Sequence, residues 1–161
     1  MLMKLKTLEK FRRRFEKLPL HHIDTSVILE PPNTEDGRYC KRYLQRVGYN
    51  YKGKISFPSL SEIIISILSL DNYNDRQDTM ETIFQLVKTR DIEFYAPKNI
   101  AKILLRIIEL DKRIEPTDME IVSCTIEDKA DMLITLDKKL IGNQKLEKEF
   151  NIKISHPMNL V

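Results

Sequence analysis

Glycine is scarce in this chain, and its scarcity excludes two large classes of nucleotide-binding protein. The 161 residues include only four glycines, and the pair with the GxxxxGK spacing, Gly48 and Gly53, is followed by Ile55 instead of Ser or Thr. Neither a GxGxxG turn nor a GxxxxGKS/T phosphate-binding loop can be formed from them. Dinucleotide-binding enzymes with the glycine fingerprint and Walker-type NTPases are therefore excluded.

Cysteine and histidine are also too few for a zinc site. Cys40 and Cys124 form no CxxC pair, and the histidines are His21, His22 and His156, so the usual ligand spacings are missing. Two isolated cysteines suit a reducing compartment. No apolar run approaches the roughly 20 residues of a membrane span, and no continuous apolar signal segment begins the chain. We expect a cytoplasmic protein with no membrane contact.

What the chain does contain is enough hydrophobic sequence for one domain, preceded by a basic segment. Hydrophobic residues make up 42% and charged residues 32%, a composition that excludes general disorder. Residues 1–19 carry seven basic and two acidic residues, a balance of +5, whereas the remainder carries 20 basic and 22 acidic residues. We predict a basic amphipathic helix over residues 1–18 and a single domain over residues 19–161.

The basic segment has the spacing of an amphipathic helix that ends before Pro19. Its apolar residues recur at intervals of three and four: Leu2, Leu5, Leu8, Phe11 and Phe15. Its cationic face, including Arg12, Arg13 and Arg14, suits RNA phosphates, an acidic lipid surface or a protein partner. The alternative is a helix that packs on its own domain and leaves its charges in solvent.

A second basic stretch also predicts RNA binding. Arg38, Lys41 and Arg42 alternate with tyrosines such as Tyr39 and Tyr43. Cations and aromatic rings together suit single-stranded nucleic acid, because the cations contact phosphates while the rings stack on bases.

The domain alternates short apolar runs with helical patterns, which predicts an α/β fold with a parallel sheet. The predicted strands cover residues 20–24, 54–57, 92–95, 132–136 and 152–154. The predicted helices cover residues 34–47, 60–70, 79–88, 101–110, 116–127 and 140–150.

Four acids converge on one edge of this predicted sheet. Asp24 and Asp137 follow the first and fourth strands, while Glu62 and Asp118 lie in the first turns of helices. All four therefore lie at the carboxyl end of the strands, where α/β proteins bind ligands. Carboxylates a few ångströms apart repel one another unless cations or protons intervene, and all-oxygen ligand sets favour Mg²⁺ or Mn²⁺. The same rule places three other acids at the opposite edge: Asp91, Glu93 and Asp131.

Each of these acids also has a purely structural interpretation. Residues 59–62 and 117–120 each fit a helix capping box, and Asp137 fits a helix start. Only Asp24, which closes a strand, has no capping role that the sequence reveals. The convergence of all four acids favours metal-assisted phosphoryl chemistry.

These residues together resemble the PIN-domain family of metal-dependent ribonucleases. The resemblance spans roughly residues 20–157 and depends on Asp24-Thr25-Ser26, Ser59-Leu60-Ser61-Glu62, Pro116-Thr117-Asp118 and Thr135-Leu136-Asp137, in the family's order. It implies a three-layer fold with a five-stranded parallel sheet in the order 3-2-1-4-5, flanked by helices. It also implies that Asp24, Glu62, Asp118 and Asp137 are catalytic metal ligands for Mg²⁺ or Mn²⁺, supported by Ser26 and Thr135.

The implied activity is endoribonuclease cleavage that leaves a 5′-phosphate and a 3′-hydroxyl. RNA is then the substrate, and the expected protein partners are a second copy of the chain and either a small antitoxin or an RNA-processing complex. The role stays open between a toxin and a processing nuclease. The basic segment and the long connection over residues 30–53 depart from the common toxin pattern.

Other classes fit less well. A phosphorelay receiver requires an acid at the end of the third strand, which here ends in Tyr95-Ala96-Pro97. A haloacid-dehalogenase-type phosphatase requires DxDxT, and Asp24-Thr25-Ser26 supplies one acid. The remaining alternative is a non-catalytic RNA-binding or assembly protein that has the same fold.

Overall fold

The computed structural model describes the backbone of residues 2–161 and the side chains of residues 4–161. Its helices are α1 (Leu2–Glu16), α2 (Thr25–Leu29), α3 (Glu35–Arg46), α4 (Phe57–Leu68), α5 (Tyr73–Thr89), α6 (Ala101–Leu110), α7 (Pro116–Glu127) and α8 (Gln144–Phe150), with a final 3-10 turn at Pro157–Leu160. Its strands are β1 (Leu20–Ile23), β2 (Lys52–Ser56), β3 (Glu93–Tyr95), β4 (Met132–Ile134) and β5 (Lys153–Ser155).

The strands form one parallel sheet in the order β3-β2-β1-β4-β5. This order confirms the topology that the resemblance implies. The pairing of Ile23 with Ile134 brings the carboxyl ends of β1 and β4 side by side. The chain then continues from both strands at the same edge, and the N–H of Asp24 donates to the carbonyl of Ile134 at 2.9 Å.

Two hydrophobic clusters cover the two faces of the sheet. Ile134 belongs to a cluster built with α2 to α5, whereas its neighbour Leu133 belongs to a cluster built with α6 to α8. Successive side chains of a strand point to opposite faces, so helices pack against both sides. The arrangement is the predicted three-layer α/β fold.

The structure differs from the sequence-based boundaries in several places. Helix α4 begins at Phe57, three positions earlier than predicted, because Pro58 is well tolerated in a first helical turn. Helix α5 begins at Tyr73 and α8 only at Gln144. The predicted start of the last helix at Leu140 is wrong, because the chain after Asp137 forms hydrogen-bonded turns first. The short helix α2 and the 3-10 turn are absent from the predictions.

Helix α1 leads into the amino end of β1 and leaves much of its apolar stripe in solvent. Leu5, Leu8 and Phe11 are 54%, 64% and 56% exposed. Only Phe15 is half-buried, and Lys52 Nζ donates to the carbonyl of Glu16 at 2.9 Å. The alternative of a helix that buries its apolar face on its own domain is therefore wrong for the first three of these residues. Leu2 was also predicted to belong to the apolar stripe, but its side chain lies outside the described residues.

No helix within residues 2–161 is long and apolar enough to span a membrane.

Candidate active site at the carboxyl end of the sheet

The four predicted acids come together where β1 and β4 end. Asp24 follows β1, Glu62 lies in α4, Asp118 lies in the first turn of α7, and Asp137 follows β4. Asp118 interacts with all the others: burial, the charges of Asp137, Asp24 and Glu62, and a hydrogen bond with Asp137 raise its pKa to about 7. Four separate segments thus place their carboxylates within electrostatic reach of one another.

Asp24 is the most firmly held of the four. Its side chain is buried, and Oδ1 accepts the N–H of Thr25 at 2.8 Å. Oδ2 accepts the hydroxyls of Ser26 at 2.6 Å and Thr135 at 2.7 Å. Asp24 is therefore the N-cap of α2, which corrects the expectation that it has no capping role. A buried carboxylate with this many donors keeps one orientation.

Ser26 and Thr135 lie where the resemblance predicts supporting residues. Besides contacting Asp24, the Ser26 hydroxyl accepts the N–H of Leu136 at 3.1 Å, and the Thr135 hydroxyl accepts the N–H of Asp137 at 3.0 Å. These hydroxyls therefore connect the carboxylate after β1 to the backbone that carries the acid after β4.

Glu62 is positioned by a residue that sequence analysis missed. The Thr25 hydroxyl is 2.7 Å from Glu62 Oε2 and 3.1 Å from the carbonyl of Ser59. Because its N–H also donates to Asp24, Thr25 links two of the acids. The sequence signal was the adjacency of Thr25 to Asp24, but its distant partner was not visible.

The capping-box interpretations of Glu62 and Asp118 are wrong. The N-cap of α4 is Ser56 and that of α7 is Glu115, and neither makes a side-chain capping bond. Asp137 does begin a turn, since its Oδ1 accepts the N–H of Lys139 at 2.8 Å. The helix expected there begins later, at Gln144.

The chemistry of this donor set fits a hard divalent cation. All four groups are carboxylates, and their mutual repulsion, expressed in the raised pKa of Asp118, is what a bound cation would relieve. Within residues 4–161, no three His, Cys, Asp or Glu side chains stand together in an arrangement that holds a metal. The present geometry instead satisfies Asp24, Glu62 and Asp137 with bonds from hydroxyls and N–H groups.

The residues predicted to bind RNA are exposed, but one group lies far from the acids. Arg12, Arg13 and Arg14 lie on α1, at the amino end of β1, whereas Asp24 follows its carboxyl end. The strand between them spans roughly 13 Å. The other group, formed by Arg38, Lys41 and Arg42, is exposed on α3. RNA binding by the cations of both groups stays a prediction, but the expected stacking of Tyr43 on a base is wrong, because this side chain is fully buried in the core.

Sequence analysis did not assign a function to the cations at the carboxyl end of the sheet. Lys138 and Lys139 directly follow Asp137, and Lys112 and Arg113 lie in the loop before α7. Lys139 Nζ is 3.5 Å from Glu115, the N-cap of α7. The Lys138-Lys139 pair was a visible signal, whereas Arg113 is held by Asp111, two positions earlier, whose burial the sequence did not reveal.

The fold is shared with known protein complexes. A chain in the crystal structure of FitAcB from Neisseria gonorrhoeae is 18% identical with a TM-score of 0.62, the match covering 85% of this chain and 97% of that one. A chain of VapBC2 from Rickettsia felis, bound to a DNA fragment from its promoter, is 17% identical with a TM-score of 0.62 over 85% and 98%. A chain of VapBC-1 from nontypeable Haemophilus influenzae is 16% identical with a TM-score of 0.62 over 86% and 98%.

This chain shares the fold of these chains, a five-stranded parallel sheet flanked by helices that matches the PIN-like fold. The resemblance inferred from the sequence is therefore confirmed at the level of the fold. No protein-family model and no curated protein sequence matches the chain.

Proposed function

We propose that this protein is a metal-dependent endoribonuclease that hydrolyses RNA phosphodiester bonds and leaves a 5′-phosphate and a 3′-hydroxyl. The observation that carries the proposal is the convergence of Asp24, Glu62, Asp118 and Asp137, with the pKa of Asp118 raised to about 7 by burial and by the three other acids. Within residues 4–161 no cationic side chain forms an ion pair with any of the four, and the charges of the other three act on Asp118.

In this mechanism the four carboxylates would hold Mg²⁺ or Mn²⁺. When bound, the metal would supply Lewis-acid activation of water and would neutralise charge on the phosphate and the leaving oxygen. Asp24 keeps a fixed orientation because Ser26 and Thr135 donate to it. Thr25 keeps Glu62 at a constant position relative to Asp24. The chain thus prepares its ligands before the metal arrives.

The fold neighbours support a small antitoxin as a protein partner, because one of them is described as a member of the VapBC family of toxin-antitoxin systems. A processing nuclease with a different protein partner is the second possible role, and the basic α1 favours it, since this helix presents cations away from the acids. A homodimer and a cytoplasmic location are further parts of the proposal.

The test is cleavage of a 5′-labelled RNA panel with EDTA, Mg²⁺ or Mn²⁺. We expect metal-dependent cutting that Asp24→Asn and Asp118→Asn each reduce by about 10³-fold or more, since each substitution removes a ligand charge. The matched control is Asp131→Asn, an acid before β4 whose Oδ2 accepts the N–H of Leu20 at 2.7 Å. This control should cut like the wild type.

Two results would contradict the proposal. Cutting that survives Asp24→Asn would come from a contaminant. RNA binding by a folded protein that cuts no RNA with either metal would favour the non-catalytic RNA-binding alternative.

A further inference from the structure

A buried carboxylate fixes an exposed arginine in the loop between α6 and α7. The side chain of Asp111 is 5% exposed and that of Arg113 is 80% exposed. Arg113 donates to Asp111 through Nε at 2.8 Å, Nη2 at 2.7 Å and its backbone N–H at 3.1 Å. These bonds lower the pKa of Asp111 and raise that of Arg113. The guanidinium is therefore always charged and has a defined orientation.

The same carboxylate ties this loop to the turn that carries Asp137. Asn143, where that turn ends, donates from Nδ2 to Asp111 Oδ2 at 3.2 Å. A second connection joins Lys139 Nζ to Glu115 at 3.5 Å. The loop that leads to Asp118 and the turn that follows Asp137 are thus held together. Arg113 accordingly lies at the carboxyl end of the sheet, on the side of these two acids.

An apolar groove of about 460 Å³ adjoins Arg113 between α6 and α7. Its apolar lining consists of Leu104, Ile108, Ile114, Pro116 and Met119, the last being the neighbour of Asp118. Two acids, Glu115 and Glu120, and two cations, Lys112 and Arg113, also line it, so the groove as a whole does not attract anions by net charge. Arg113 is the lining cation whose donors are held in one orientation by bonds to Asp111. Apolar surface beside a cation suits an unstacked nucleotide, whose base and phosphate need different surroundings.

We propose that Arg113 binds a backbone phosphate of single-stranded RNA and that the adjoining groove takes a base of the same strand. The proposal rests on the endoribonuclease function for its substrate class, and it places the strand beside Asp118 and Asp137. The bonds to Asp111 leave both Nη1 hydrogens and one Nη2 hydrogen of Arg113 for a phosphate. Asp111 is the positioning residue, because it holds the guanidinium without touching the RNA.

A purely structural role for the pair predicts something different. The N–H of Asp111 donates to the carbonyl of Ile107 at 2.9 Å, so Asp111 ends α6. If ending the helix were the whole role, loss of the guanidinium would change the melting temperature and leave RNA binding unaltered. A phosphate contact instead predicts lower affinity and a weaker dependence on salt.

The experiment measures binding of a labelled single-stranded RNA in EDTA, where no cleavage intervenes, as a function of salt. We expect Arg113→Gln to weaken binding by about 10-fold at low salt and to reduce the slope of log affinity against log salt by about 0.7, the value for one phosphate of a single strand. Arg113→Lys should restore the slope and only part of the affinity, because an ammonium is a point charge. The matched control is Lys102→Gln, an exposed cation at the other end of α6.

The groove is tested separately with Ile108→Ser, a half-exposed position whose substitution leaves the charge unchanged. It should weaken binding of single-stranded RNA by about 3-fold or more without changing the salt slope, because loss of base contact releases no counterion. Affinity and slope equal to those of the wild type would overturn the base site.

The cleavage assay then separates this inference from the proposed function. If the wild type cuts RNA, Arg113→Gln should raise KM with kcat nearly unchanged. If Arg113→Gln matches Lys102→Gln in affinity, slope and KM, the inference is wrong, whether or not its melting temperature falls. If the wild type cuts no RNA and Arg113→Gln still loses affinity and slope, the phosphate site stands and the endoribonuclease proposal fails.

Discussion

The two ends of α7 carry acids with opposite surroundings. Asp118 lies in the first turn, where the helix dipole favours a negative charge, yet its pKa is raised to about 7 by burial and by neighbouring carboxylates. Asp128 caps the last turn, where the dipole disfavours a negative charge. Its pKa is nevertheless lowered, because hydrogen bonds from His22 and Lys54 outweigh burial. Local partners therefore outweigh the dipole at both ends.

This contrast separates structural acids from candidate ligands. Asp128 accepts His22 Nε2 at 2.8 Å and Lys54 Nζ at 2.9 Å, and so joins α7 to β1 and β2. Within the described residues, the charged groups that shift the pKa of Asp118 are other carboxylates. Compensated carboxylates stabilise the folded chain, whereas uncompensated ones are stable only with a proton or a cation.

The largest effect on stability should follow from removing Asp128, the acid at the end of α7 whose charge has cationic partners. We expect Asp128→Ala to lower the free energy of unfolding by about 3 kcal/mol, because it leaves Lys54 and the buried His22 without their common partner. Urea unfolding followed by circular dichroism measures the change. The control is Asp71→Ala, an exposed acid between α4 and α5. Equal stability of the two variants would contradict the structural role of Asp128.

The opposite sign is expected at the other end of α7. In EDTA at pH 7, Asp118→Asn should raise the free energy of unfolding by about 2 kcal/mol, a value reduced for solvent screening, because it removes a repelled charge. Folding raises the pKa of this carboxyl from its ordinary value of 3.8 to about 7. The folded protein therefore loses stability as the pH rises through this range. The difference from the wild type should therefore vanish near pH 4 and reach its full size near pH 7.

Urea unfolding at several pH values tests this expectation, and Mn²⁺ sharpens it. Millimolar Mn²⁺ should stabilise the wild type and have a smaller effect on Asp118→Asn, since a ligand that binds only the folded state raises its stability. A wild type more stable than Asp118→Asn at pH 7 in EDTA would show that the charge of Asp118 is compensated.

A smaller effect is expected from loosening one ligand without removing it. Thr135→Val deletes a hydroxyl that donates to Asp24 at 2.7 Å and accepts from the N–H of Asp137. We expect kcat/KM for RNA to fall about 10-fold, the size of one hydrogen bond to a charged group. The control is Thr125→Val, an equally buried threonine whose hydroxyl donates to the carbonyl of Ile121 at 3.0 Å. Parallel losses of activity in both variants would point to general destabilisation.

The smallest effect on chemistry is expected from α1, which lies at the amino end of the sheet, away from the four candidate ligands. Replacing Arg12, Arg13 and Arg14 with Gln should weaken RNA binding a few-fold and reduce its salt slope by up to about 2. Cleavage at saturating RNA should stay unchanged, because α1 leads into the amino end of β1. Exposed Lys145 and Lys148, replaced together with Gln, provide the control. An unchanged affinity and slope in the triple variant would exclude α1 from RNA binding.

Much of the fold was predictable because strands and helices alternate along the chain. Short apolar runs such as that of β1 and longer amphipathic patterns such as that of α6 each identify their element locally. The elements that were missed have weak local patterns: α2 has only five residues, and the turns after Asp137 have no apolar periodicity. Helix α4 begins earlier than predicted because its N-cap is Ser56 rather than Ser59. Ser56 is the last residue of β2, so the helix follows the strand directly.

The proposed ligands were predictable for a different reason. In a parallel α/β unit the direction of the chain determines which residues reach the carboxyl end of the sheet, so Asp24 and Asp118 could be placed there from their positions alone. The same rule placed Asp131 at the opposite edge of the sheet. In the structure this acid accepts the N–H of Leu20, the first residue of β1. The partners were not predictable: Thr25 and Glu62 lie 37 positions apart, and Thr135 and Asp24 lie 111 apart.

The parallel α/β architecture and the edge at which four acids gather could both be inferred from the sequence, because they follow from chain direction and hydrophobic periodicity. Which acids have partners is a property of the tertiary structure. Asp128 receives Lys54 and His22, whereas Asp118 faces carboxylates. The carboxylate of Asp111, which holds Arg113 two positions later, is likewise buried and bonded by Asn143 through tertiary packing. Whether a charge is compensated depends on which side chains packing brings next to it. No local pattern in the sequence encodes the distance between such side chains.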